Sequence, residues 1–230
     1  MKKNKIYLII SVLFLILSAV IFLTLRTDKK YDEAKAKQVE SNKKPVSKLD
    51  IQNYIKSDQE LDITEGEIGA PVTIIEYASY SCAHCADFYK NLYPQIKANF
   101  IDKGKVRFIF RDFPLDEPSL RASQLIHCMP DGKKNMMKVL FESQTSWAYK
   151  KDFPEKLENF AKIQGLTSDF FHACMSNKEL EEQILEKRMS AFEAFNINST
   201  PSLIINGQLY IGQKNWYEIS EYITNLLEAK

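Results

Sequence analysis

The residues of this 230-residue chain best suited to covalent chemistry are its four cysteines, two of which, Cys82 and Cys85, enclose Ala83 and His84 at CxxC spacing. Two thiols this close can attach a haem, share a metal or exchange with a disulfide. A c-type haem needs a histidine directly after the second cysteine, and Ala86 stands there. Tetrahedral structural zinc usually draws on two close ligand pairs, and the cysteines supply one. A purely structural bridge over so short a loop would remove little chain entropy and would be easy to reduce. Reversible thiol–disulfide exchange is the chemistry that remains, with a thiolate as the attacking species.

A thiolate has to be positioned and stabilised. Residues 72–80 read Val-Thr-Ile-Ile-Glu-Tyr-Ala-Ser-Tyr, apolar on both alternating faces, which predicts a central strand covered on both sides. After the CxxC, the positions Cys85, Phe88, Tyr89, Leu92, Ile96 and Phe100 have helical spacing, with Pro94 placed to kink the helix. The pair therefore falls at a strand-to-helix junction. Cys82 meets the unpaired N–H groups and the positive end of the helix, and His84 can add positive charge or a hydrogen bond. These features make Cys82 the attacking thiol and Cys85 the resolving one.

Residues 106–110 predict a second strand. Residues 118–196 hold no strand-like run and predict amphipathic helices near 118–129, 133–148, 154–164, 168–176 and 178–195. Asn206-Gly207 between two apolar runs predicts a hairpin of 202–205 with 208–211. A last helix follows from about Asn215, with Trp216, Ile219, Ile223, Leu226 and Leu227 on one face. The order strand, helix, strand, helical insert, hairpin, helix describes an α/β layer sandwich with a helical lobe inserted in its middle.

Cys128 and Cys174 fall on inward-looking positions of insert helices. In an oxidising compartment they are expected to form a structural disulfide, contributing about 4 kcal/mol by loop-closure entropy before strain. His127 and His172 lie beside them, but adjacent helical residues point about 100° apart, so joint metal ligation is awkward. Both histidines read as ordinary surface or packing residues, and no metal or cofactor is expected.

Composition sets the wider frame. Hydrophobic residues make up 45% and charged residues 27%, enough for one core with a small second lobe. Lys+Arg 31 against Asp+Glu 30, with only five arginines, argues against a nucleic-acid partner. Lys2, Lys3 and Lys5 precede an uncharged run of twenty residues, 6–25, the length of a helix that spans a bilayer's hydrocarbon core. No small-x-small cleavage site follows it, so an uncleaved N-terminal anchor is preferred over a cleaved signal. Either way the positive flank stays inside and the remainder faces an oxidising, extracytoplasmic compartment such as a periplasm. The expected organisation is a signal-anchor or signal peptide at 1–26, a polar tether at 27–63 and the folded domain at 64–230, with its insert at about 115–196.

Three elements together resemble the DsbA-type branch of the thioredoxin superfamily over residues 64–230. They are CAHC after a Glu-bearing strand, Arg111-Asp112-Phe113-Pro114-Leu115 after the second strand, and Ser199-Thr200-Pro201-Ser202 before the hairpin. The resemblance implies a thioredoxin-like fold with an inserted helical domain, Cys82 and Cys85 as the redox centre, and a cis proline, Pro201, against that pair with Thr200 before it. Many relatives in the tethered or secreted branch also carry a cysteine pair in the lobe, which Cys128 and Cys174 match. Glu76, a charge inside an otherwise buried strand six residues before Cys82, suggests a proton acceptor for the thiols. Ala83-His84 replaces the Pro-His of the best-known oxidases and Thr200 replaces their Val, which bears on poise and substrate range. The expected activity is donation of the Cys82–Cys85 disulfide to reduced, unfolded exported proteins, with reoxidation by a quinone-linked, DsbB-like membrane partner. An isomerase or reductase would depend on dimerisation, for which residues 27–63 are short and polar, so a monomer is expected. The alternative of another class is a membrane-tethered binding or chaperone module with a vestigial CxxC.

Overall fold

The computed structural model describes residues 61–212 and 214–229 of the chain. The hydrophobic segment 6–25 and nearly all of the tether lie outside the described residues, among which no helix is long and apolar enough to cross a membrane. Ile63, assigned by composition to the end of the tether, instead opens a short strand.

Five strands form one sheet in the order β1-β3-β2-β4-β5. They are β1 (Ile63–Glu65), β2 (Val72–Ala78), β3 (Val106–Asp112), β4 (Ser202–Ile205) and β5 (Gln208–Ile211). Only β2 and β3 run parallel, with Glu76 opposite Phe110; β2 is antiparallel to β4, with Glu76 opposite Leu203. The central position of β2 explains its near-continuous apolar sequence, since a strand covered on both faces has no solvent side to alternate with. The hairpin turn places Asn206 at φ 45° and Gly207 at φ 90°, the left-handed pair that a two-residue loop of this hand requires.

Helix α1 occupies residues 83–101 and packs on one face of the sheet. Its α-helical pieces Ala83–Asp87 and Tyr93–Ile96 alternate with wider π-type turns at Phe88–Leu92 and Lys97–Ile101. Pro94 cannot donate to the carbonyl one turn back, and the adjoining turn widens accordingly, with Tyr93 N–H reaching Phe88 O. The insert follows as α2 (Glu117–Cys128), α3 (Lys133–Glu142), α4 (Gln144–Trp147), α5 (Phe153–Ile163), α6 (Ser168–Met175) and α7 (Lys178–Phe195), and α8 (Trp216–Glu228) ends the fold. Periodicity predicts one helix over 133–148, whereas the structure breaks it at Ser143, whose hydroxyl turns back to Val139 O.

The sheet separates two apolar clusters. Ile74, Phe108, Phe110, Leu203 and Ile205 join residues of α1, α2, α3 and α8 in the larger one. Ile75, Tyr77, Ile109 and Ile204 meet Phe113, Ala191 and Ile197 on the other face. Alternation along β2 puts Glu76 on the same face as Ile74, under α1. The sulfurs of Cys128 and Cys174 are bonded at 2.06 Å, tying the end of α2 to α6.

An ion pair holds the edge of the sheet. Arg111 donates from Nε to Asp62 Oδ1 (2.8 Å) and from Nη2 to Asp62 Oδ2 (2.9 Å), and from Nη1 to the Tyr77 hydroxyl (3.3 Å). Both charged side chains are only 5% exposed. Removing one member of such a pair strands a buried charge, whereas removing both is far milder. Asp62→Leu should therefore lower the unfolding free energy by about 3 kcal/mol or more. Adding Arg111→Met should recover most of that loss, as measured by denaturant unfolding of both variants.

Candidate active site

The site is built on the turn between β2 and α1. Ser79, Tyr80 and Ser81 are all buried, so their polar groups need internal partners. Ser119, at the start of α2, supplies two: its Oγ accepts from Tyr80 N–H at 2.9 Å and from Ser79 Oγ at 2.8 Å. Ser79 Oγ lies 3.0 Å from Ser81 Oγ. The carbonyls of this turn are bound from one short segment of the insert. Gln144 Nε2 donates to Tyr80 O (2.7 Å) and to Cys82 O (2.8 Å), and the Tyr149 hydroxyl donates to Ser81 O (2.5 Å).

This turn delivers Cys82 as the N-cap of α1, in extended conformation with φ −75° and ψ 119°. No acidic residue occupies the first turn of α1 to offset its positive end. Cys82 is half-buried and Cys85 fully buried, both as free thiols. Cys82 Sγ lies 3.3 Å from the carbonyl of Thr200, and the Thr200–Pro201 peptide is cis. The loop before β4 thus closes over the sulfur from the opposite side.

The two thiols differ sharply. The Cys82 thiol is pushed down from 9.0 to about 5, foremost by a hydrogen bond from the Cys85 thiol, with Thr200 and the backbone N–H groups of Cys85 and His84 adding to it against the cost of burial. The Cys85 thiol is pushed up by burial, then by its hydrogen bond with Cys82 and by the charges of Glu76 and Cys82. Glu76 is 1% exposed, its Oε1 has no hydrogen-bond partner among the described residues, and burial and the charge on Cys82 hold its carboxyl well above the usual carboxylate range. The structure therefore brings together Cys82, Cys85, Glu76, Thr200 and Pro201. The His84 side chain is exposed, and it is the backbone N–H of this residue that acts on Cys82.

Of the two histidines expected to be surface or packing residues, His172 is one and His127 has a more specific role. His172 is exposed against Phe171. His127 has a side chain only 1% exposed, and its Nε2 is paired with Asp112 Oδ2, while Ser123 binds the other oxygen of that carboxylate. This cluster seats α2 on the end of β3.

Residues 57–225 match the family model described as Thioredoxin. The crystal structure of Wolbachia pipientis alpha-DsbA1 superposes with a TM-score of 0.70 at 30% identity, covering 76% of this chain and 94% of that one. The chain belongs to the DsbA-type branch of the thioredoxin family. Its other relatives agree. Disulfide bond formation protein D of Bacillus subtilis is 28% identical over 170 residues, 72% of this DsbA-type chain and 77% of that protein. The oxidised crystal structure of BdbD from the same organism has a TM-score of 0.62 at 26% identity, covering 74% of this chain and 94% of that one. The chain spans 58% of the length of a Rickettsia bellii relative, with which it is 26% identical over 150 residues, 64% of this chain.

The positions singled out in the sequence, both thiols, Glu76 and Thr200-Pro201, lie together, whereas Ser119, Gln144 and Tyr149 around the same turn were not among them. Gln144 left a usable signal, because it is the one polar residue on the inward stripe Met136, Met137, Leu140, Phe141, Gln144, Trp147 and Ala148. A polar side chain at such a position needs a partner.

The acidity of Cys82 has a measurable consequence. Folding lowers its pKa, so the stability its ionisation lends to the reduced protein is complete above pH 9, declines as pH falls through the interval, and is lost below about pH 5. The disulfide form has no such contribution. The stability of the reduced protein relative to the oxidised one should thus shrink as pH falls from 9 to 5, in step with loss of the thiolate's ultraviolet absorbance, as tested by unfolding both forms across that range.

Proposed function

We propose that this chain is a thiol:disulfide oxidoreductase that gives its Cys82–Cys85 disulfide to reduced proteins. The observation that carries the proposal is the asymmetry of the pair, a half-buried thiol at about 5 beside a buried one held high. Only Cys82 is accessible to an attacking thiolate, and it is also the better leaving group of the two.

In the forward reaction a substrate thiolate attacks Cys82 Sγ, the Cys82–Cys85 bond breaks, and its electron pair leaves on Cys85. Cys85 has a strong proton affinity in its buried site, and protonated Glu76, whose charge acts on the same thiol, would supply that proton. A second substrate thiolate then attacks the substrate sulfur of the mixed disulfide. Cys82 departs as a thiolate, already stabilised by the helix terminus and by Cys85. The substrate loses two electrons and two protons, and the enzyme pair gains the two electrons. A thiolate stabilised only in the reduced enzyme makes the disulfide a stronger oxidant, since each pKa unit corresponds to about 1.4 kcal/mol, or about 30 mV for two electrons.

The oxidant direction, together with the name of the Bacillus subtilis relative, supports a role in making disulfides rather than reducing or rearranging them. The clients would be exported proteins outside the cytoplasm. The apolar run 6–25 would hold the domain at the membrane, where a quinone-linked, DsbB-like partner would accept its electrons, with the domain acting as a monomer. The imidazole of His84 adds a smaller favourable contribution to the thiolate from its exposed position.

The oxidised protein should convert a reduced, unfolded dithiol protein to its disulfide form. Cys82→Ser should abolish this, and Cys85→Ser should accumulate mixed disulfides through Cys82; adducts through Cys85 would reverse the roles. Glu76→Gln should slow formation of the mixed disulfide by roughly 100-fold or more. His84→Ala should raise the Cys82 pKa by less than about one unit, because the backbone donors remain.

A further inference from the structure

The insert binds the carbonyls of the redox turn through one segment, residues 144–149. Gln144 is 2% exposed, and both hydrogens of its amide are spent on backbone carbonyls of the redox turn, those of Tyr80 and Cys82. Tyr149 binds the carbonyl between them. Three consecutive carbonyls are thus held from one strap, and the break at Ser143 separates that strap from α3. Cys82 O also accepts the first backbone bond of α1, from Ala86 N–H at 3.1 Å. It therefore carries two donors, which fix the plane of the peptide following Cys82.

We propose that Gln144 is a positioning residue for the exchange reaction: by holding the Tyr80 and Cys82 carbonyls it aims the first N–H groups of α1 at Cys82 Sγ and so sets how strongly the protein oxidises.

The physical reason is directional. The N–H groups of His84 and Cys85 act on the sulfur only while Cys82 keeps the extended cap conformation that points its side chain back over the first turn. Hydrogen bonds weaken steeply once they bend, so a small rotation of the Cys82–Ala83 peptide costs the thiolate donors without unfolding anything. Without Gln144, Tyr80 O loses a donor in a buried setting and Cys82 O keeps Ala86 alone. The thiolate exists only in the reduced enzyme, so loosening the cap acts on one redox state more than on the other.

The inference rests on Cys82 being the exchanging thiolate, and the test separates the two ideas. Gln144→Met keeps length and shape while removing both donors, and Gln144→Asn keeps the amide but withdraws it by one methylene. In the full chain, Gln144→Met should raise the Cys82 pKa by at least about one unit and move the neutral-pH equilibrium with glutathione about tenfold toward the disulfide, with Gln144→Asn changing both in the same direction. The melting temperature of the reduced form should fall more than that of the oxidised form. A melting temperature lowered equally in both redox states, with pKa and equilibrium unmoved in either variant, would leave Gln144 as packing alone and overturn the inference. A wild-type Cys82 that titrates near 9 would instead sink the reading of the site itself.

Discussion

A negative charge on Cys82 meets the first free N–H groups of α1 and the thiol of Cys85, whereas the same charge on Cys85 would sit in an apolar interior close to Glu76. The fold keeps those two environments one helical turn apart and prevents them from averaging. Burial enforces the difference. The central strand is covered by helices on both faces, so its end opens directly into the core, where Cys85 is buried while Cys82, the capping residue of α1, is only half-buried. Exchange chemistry needs one sulfur that is a good nucleophile and leaving group and another that holds its proton. The difference in burial between two neighbouring residues supplies both.

The polar groups around the turn show how such a junction is held. A sharp strand-to-helix turn leaves several backbone groups without ladder partners, and here side chains from the insert take them up. Ser119 opens α2 and binds an amide, while the strap at 144–149 binds three carbonyls. The insert is therefore part of the redox turn's own hydrogen bonding as well as a cover for the sheet. Asp112 and His127 anchor the far side of the same lobe to β3.

What could be read in the sequence follows where the physics is local. The CxxC at a strand-to-helix junction, the Asn206-Gly207 hairpin and the helical spacing after Cys82 each depend on neighbours in the chain, and each sits where its pattern predicts. Glu76 was legible because a charge in an apolar run demands an explanation. Strand β1 was not, since three residues with Thr64 and Glu65 among them carry no alternation and exist only because β3 offers an edge and Arg111 holds Asp62. The break at Ser143 was hidden by an apolar stripe that continues in phase through Trp147. The pairing of Asp112 with His127 spans 15 residues and two elements, beyond the reach of any periodicity.

The sequence distances within the site bear on how the protein is made. Thr200 lies 118 residues downstream of Cys82, and Gln144 62 residues downstream. A chain that emerges N-terminus first presents its CxxC long before the cis-proline loop, the strap or strand β4 exists. Until those segments arrive, Cys82 has neither its cap geometry nor its apolar surroundings, and it behaves as an ordinary, largely protonated thiol. The Cys128–Cys174 bridge spans 46 residues within the insert and can close before the sheet is complete. Reactivity is thus a late product of folding, and the nascent chain is shielded from its own chemistry by the order in which its parts are synthesised.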